Sequence, residues 1–228
     1  VPYAAFLVVV QVAAWLPASA AAWALPVQVA LPAVLLGVYA RRGHYRELGT
    51  WQAGGGGLAA DVGLGLAVAA LWMTPYVAGW IAPPDSGFDA GAWGEQGTGA
   101  RLALRAAGFV AVTPFVEELF VRSFLIRWVE LFSWRGGRLE YDESRDFRDL
   151  PVARYTAWSF WITVVYFAFS HALWEVPVAA ATGVLYNLWL YRRRHLADVI
   201  LAHAVTNGTI LAVVVVASAR GIDLWYFL

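Results

Sequence analysis

Glu117 and Glu118 stand side by side in an apolar run that extends from Leu102 to Phe132, and Arg122 follows four residues later. A charge at the centre of a membrane helix costs about 2.5–3.5 kcal/mol, so three in one stretch call for a reason. Helical spacing sets Glu118 and Arg122 on one face as an ion pair. Glu117 lies about 100° round the helix and has no local partner. A lone carboxylate in low dielectric is drawn toward its neutral form unless a histidine or arginine compensates it. A group poised between two forms is what general acid–base chemistry uses.

Two further stations supply complementary groups. Phe167-Ala168-Phe169-Ser170-His171 closes an aromatic-rich run, and His203-Ala204-Val205-Thr206-Asn207 sets an imidazole and an amide on one helical face. Together they suit attack of water on a peptide carbonyl. Glu117 would take a proton from the water, His171 would hold that water, and His203 and Asn207 would face the oxyanion. Glu118 and Arg122 would fix the helix and position substrate. Glu117, His171 and His203 are also a legitimate zinc set. No His-Glu-x-x-His is present, and a metal-free, cofactor-free arrangement is the preferred expectation. No serine carries an elbow signature. The absence of cysteine removes thiolate nucleophiles and thiolate metal sites.

Blander roles compete for the same residues. Glu118 with Arg122 could staple helices, His171 could be interfacial, and His203 with Asn207 could be interhelical hydrogen-bonding glue. Jointly these roles leave Glu117 unexplained. At the level of function, the rivals to an endopeptidase are a peptide or ion transporter and a non-catalytic membrane partner that holds a client helix in the same groove. Zero formal net charge gives no support for nucleic acid as a partner.

The elements that must carry these groups are membrane helices. The chain is 61% hydrophobic and 14% charged, and apolar windows long enough to span recur along it. The pattern predicts an all-α, polytopic bundle of about seven (six to eight) transmembrane helices forming a single domain. The spans fall near 3–18, 22–40, 58–80, 102–126, 154–172, 176–191 and 197–217. The first is read as a retained span and not a signal peptide. The fourth must be tilted or kinked at Pro114. Gly54 to Gly57 belong to a loop, Asp61 reads as an interfacial residue, and residues 133–154 form a polar, solvated loop. With seven crossings, the loops at 41–57, 133–154 and 192–196 lie inside and hold most of the arginines, as the positive-inside bias requires, with a cytoplasmic N-terminus. Residue counting then sets His171 about 10 Å from Glu117 along the membrane normal, a gap that helix tilt would have to close.

In order, Glu117-Glu118 with Arg122, Phe167 with His171, and His203 with Asn207 resemble the Glu-Glu-x-x-x-Arg, Phe-x-x-x-His and His-x-x-x-Asn motifs of the CAAX prenyl protease and bacterial immunity-type (CPBP) family of glutamic intramembrane endopeptidases. The resemblance covers roughly 100–215. It implies a metal-free peptidase in which Glu117 and His171 activate water while His203 and Asn207 stabilise the oxyanion. Gly183 to Asn187, followed by arginines and the His203 motif, is similar to CAAX-protease-related proteins that accompany bacterial exosortase systems. That likeness implies an inner-membrane protein whose partners are the bilayer, a membrane-anchored substrate with a sorting or prenylated tail, and an exosortase-type system. The glycine that often follows the motif arginine is Ser123 here.

Overall fold

The computed structural model describes residues 1–49 and 55–228. Seven principal helices stand out among them: α1 (Pro2–Trp15), α2 (Leu25–Arg41), α3 (Gly55–Val77), a composite α4 (98–129), α5 (Ala157–Phe169), α6 (Val176–Arg193) and α7 (Leu196–Ser218). Leu16, which precedes Pro17, is extended (φ −82°, ψ 152°) and ends α1, because proline disfavours the helical conformation before it. Pro26 falls in the first turn of α2, where no amide donor is needed. Gly54 of the four-glycine run lies outside the described residues, whereas Gly55 to Gly57 open α3 and are not loop. The polar segment after α4 holds a two-stranded antiparallel hairpin, β1 (Phe132–Arg135) with β2 (Arg138–Tyr141), pairing Phe132 with Tyr141.

The expected count of about seven transmembrane helices is not met. Among the described residues, three stretches are long and apolar enough to cross a membrane: Ser19–Arg41, Gly57–Val77 and Leu196–Ser218. Helices α1 and α5 are apolar but have only 14 and 13 residues, about 21 Å at most against a hydrocarbon core of about 30 Å. Helix α6 interrupts its apolar run with buried Thr182 and Asn187 and ends in Arg192-Arg193. Helix α4 carries six charged side chains between Arg101 and Arg127. Hydropathy windows had merged helices that face protein with helices that face lipid. The inside–outside assignment built on seven crossings loses its basis with that count. The apolar surface left outward is still extensive, with Val8, Trp15, Trp23 and Val34 all more than half exposed, as suits a membrane-associated protein.

Helix α7 packs along α3 in the most extensive helix contact of the fold, and Gly65 makes that approach close. A Cβ there would lie 2.6 Å from both the Ala202 carbonyl oxygen and Val205 Cβ. Thr206 Oγ1 lies 2.9 Å from the Gly65 carbonyl and 2.8 Å from the Tyr186 hydroxyl, tying α7 to α3 and α6. At the α6–α7 junction, Arg193 bridges Asp61 (3.2 Å) and Asp198 (3.0 Å), and Trp189 Nε1 donates to Asp61 (2.8 Å). Asp61, expected at an interface, is fully buried.

Gly65→Val should overpack the α3–α7 contact by about 1–3 kcal/mol. Thermal unfolding in detergent would show it as a drop of several degrees. An unchanged midpoint would mean that the two helices can move apart freely.

Candidate active site

Helix α4 is irregular on both sides of Pro114. Its regular α-helical turns (Thr98–Ala106, Thr113–Glu118, Ile126–Val129) are separated by wide π-helical stretches, Ala107–Val112 and Leu119–Leu125. In the first of these, the Thr113 amide donates to the Gly108 carbonyl, five residues back. Continued by one residue, that pattern would pair the Pro114 nitrogen with the Phe109 carbonyl, but proline has no hydrogen to give. Asn207 supplies it: its Nδ2 donates to Phe109 O at 2.7 Å. The amide that the sequence pattern aims at an oxyanion therefore spends one of its two N–H groups on a carbonyl freed by the kink.

One turn on, Glu118 is fully buried with two cationic or donor partners. Arg122 Nε lies 3.2 Å from Oε2, and His203 Nδ1 lies 2.8 Å from Oε1. The Arg122 guanidinium rests on the Phe167 ring, 4.3 Å from its centroid, and near the Tyr186 ring at 5.6 Å. Phe167 has a second use, since its carbonyl accepts from His171 Nδ1 at 2.7 Å. Just beyond the end of α5, the His171 imidazole sits between the Phe167 and Trp72 rings, 4.6 and 5.3 Å from their centroids. With Nδ1 committed in each histidine, Nε2 is the nitrogen left for the cavity.

Glu117, His171, His203 and Asn207 line one cavity of about 80 Å³, together with Thr113, Glu175 and Phe227. The gap of about 10 Å between His171 and the others that residue counting suggests does not keep His171 out of this cavity. The volume holds a few waters but not a peptide segment. Glu117 Oε2 is buried with no hydrogen-bond partner among the described residues. Of the supporting residues, Phe167 is part of this wall, while Glu118 and Arg122 stand behind it, and the three tie its two histidines together.

Two groups escaped the sequence reading. Glu175 is a second carboxylate on the cavity wall. Burial pushes its pKa above the ordinary carboxylate value, and His171 pulls it the other way. It occupies a short turn outside any periodic run, so spacing gave no sign of it. Tyr186 is completely buried, with its ring 5.5 Å from His203 and its hydroxyl on Thr206. For zinc, the residues do not make a ligand set. Among the described residues, no group of three histidine, cysteine or acidic side chains is placed to hold a metal ion.

The fold and cavity define a helical, membrane-associated protein with a buried carboxylate, imidazole and guanidinium cluster beside an unpartnered acid. Residues 99–209 match the family model described as Type II CAAX prenyl endopeptidase Rce1-like, so this part of the chain is similar to a CAAX-protease domain. The match supports a peptidase function in general terms. No curated protein and no solved structure matches the chain.

The kink and the amide should be coupled. Asn207→Ala should cost about 1–3 kcal/mol by orphaning the Phe109 carbonyl. Pro114→Ala restores an amide donor beneath that carbonyl and should recover part of the loss. A double-mutant cycle by thermal unfolding reads the coupling, and strict additivity of the two changes would refute it.

Proposed function

We propose that the chain is an intramembrane endopeptidase that hydrolyses a peptide bond in a membrane-anchored protein near its C-terminal tail. The observation that carries this reading is Glu117 Oε2, buried without a partner on the wall of a small cavity that His171 and His203 share. Such a carboxylate, with a histidine Nε2 beside it, can hold and deprotonate a water. The oxygen then bonds to the carbonyl carbon, and the Glu117 proton passes to the leaving nitrogen as the C–N bond breaks.

The oxyanion falls to His203 and Asn207. His203 Nδ1 lies on Glu118, which leaves Nε2 for the cavity, where an Nε2–H can donate to the oxyanion. Asn207 keeps its second N–H for the same task. Glu118, Arg122 and Phe167 act behind these groups as positioning residues. The cavity is too small for an extended peptide, so substrate entry requires the helices around it to part. The likeness of its motifs to the CPBP family and, within it, to the exosortase-associated branch supports this reading, as does the match of residues 99–209 to the Rce1-like model. These likenesses point the same way. They favour a bacterial inner membrane, and a substrate tail that marks a protein for sorting and need not be prenylated.

The test offers full-length protein in liposomes a panel of membrane-tethered reporter peptides with varied C-terminal tails. Glu117→Gln and His171→Ala should each lower kcat by at least about 10²-fold on a cleaved reporter. Glu117→Gln should leave the unfolding temperature nearly unchanged, because no protein bond to Oε2 is lost. A reporter that binds stably and is never cut would instead support a non-catalytic binding role.

A further inference from the structure

A different face of α4 borders a larger space. Val116, Phe120 and Phe124 recur along one stripe of the helix and form, with Tyr3, Leu36 and Tyr39, the wall of an apolar chamber of about 410 Å³. The chamber opens into a second one of about 640 Å³, and the two share His44, Glu47, Arg127 and Arg148. The second chamber is polar, with Arg42 and Arg46 on its wall. Hydrocarbon lining thus runs directly into a basic mouth.

The charges of that mouth are unequally committed. Glu47 is taken by Arg127 at 3.2 Å and by the Ser123 hydroxyl. Asp146 is taken by Arg148 at 2.7 Å, and the Asp149 carboxylate accepts the Asp146 amide at 3.0 Å. Arg42 and Arg46 are exposed and have no carboxylate partner among the described residues. The mouth therefore offers two guanidiniums to an incoming anion, while its three carboxylates are already engaged and offer little to an ammonium group.

We propose that the two chambers together bind one anionic phospholipid, with an acyl chain in the apolar chamber and its phosphate against Arg42 and Arg46. The placement suits a membrane surface. Glu47, beside Arg46, binds Arg127 at the far end of α4, and Arg42 caps a membrane-length helix, Ser19–Arg41. Arginines at the end of a spanning helix meet the headgroups of a leaflet, and anionic headgroups are the ones that they attract. A free phosphate would meet the same arginines but leave the apolar chamber unfilled. A zwitterionic lipid would fill the chamber but bring its ammonium to a basic mouth.

The experiment titrates delipidated full-length protein in neutral detergent with phosphatidylglycerol, phosphatidylcholine or inorganic phosphate. Native mass spectrometry and unfolding temperature are the readouts. Phosphatidylglycerol should bind one to one and raise the unfolding temperature, whereas the other two should do neither at equal concentration. The R42Q/R46Q double variant should bind phosphatidylglycerol roughly 25-fold more weakly, given the worth of each arginine near a headgroup. L36W should block the chamber and reduce uptake with the arginines intact. Both arginines are solvent-exposed, so the double variant decides the question if L36W fails to fold. Equal binding of the two lipids, an equal shift from inorganic phosphate, or unchanged binding by R42Q/R46Q would overturn the proposal.

Discussion

The site depends on one buried carboxylate. Glu118 has no solvent contact, and its two oxygens face Arg122 on its own helix and His203 on α7, 85 residues away. A buried charge loses several kcal/mol of hydration, and only close, well-aligned partners offset that loss. Removing Arg122 would leave a buried carboxylate without its guanidinium at a cost of about 3–5 kcal/mol, whereas removing His203 would take away one hydrogen bond and leave the ion pair. Arg122 carries the linkage further, because its guanidinium lies on the Phe167 ring and the Phe167 carbonyl orients His171. Three stretches far apart in sequence become one object through this chain of contacts. The two histidines are held by opposite ends of it.

Helix α4 gives up regular hydrogen bonding to make the arrangement. Pro114 withholds a donor, the preceding turn widens, and Asn207 reaches across from α7 to satisfy the Phe109 carbonyl. Wide π turns are frequent where a helix must re-aim side chains, and here they bracket the segment that bears both glutamates. The amide that repairs the helix comes from the residue one turn beyond His203. The contact that fixes the kink therefore also fixes the depth at which His203 meets Glu118. Tyr186 on α6 closes over the imidazole and bonds to Thr206 on α7, whose hydroxyl also binds the Gly65 carbonyl.

Local spacing carried some of this and not the rest. The Glu118–Arg122 pair is legible because four residues make one helical turn, and the break before Pro17 is legible because proline constrains its predecessor. The His203–Glu118 bond is not, since no periodicity links positions on two helices. Asp61 misled for the same reason: its partners Trp189 and Arg193 lie on α6, so an apparently interfacial acid is fully buried. The span count failed on α5 and α6. Apolar windows register hydrophobicity without saying whether protein or lipid will cover it, and buried Thr163, Thr182 and Asn187 are satisfied or enclosed by neighbouring helices. Asn207 was legible as a polar group on the His203 face, but its bond to Phe109 follows from backbone geometry that sequence does not display.

The two adjacent glutamates show what that architecture accomplishes. They differ by about 100° of helix rotation, and this sends one into a closed electrostatic knot and the other to a cavity wall. Glu118 is paired with Arg122 and His203 and lies off the cavity wall, so it is poorly placed to exchange a proton with anything that enters. Glu117 keeps a buried oxygen without a partner, so its hydrogen-bonding capacity is left for a small guest. The knot also engages the groups that could otherwise pair with Glu117. Arg122 is spent on Glu118 and Phe167, and His203 presents only its far nitrogen to the cavity. The rigid pair thus leaves the Glu117 oxygen open to the cavity, and a helix with one glutamate in this stretch would have either the anchor or the open acid but not both.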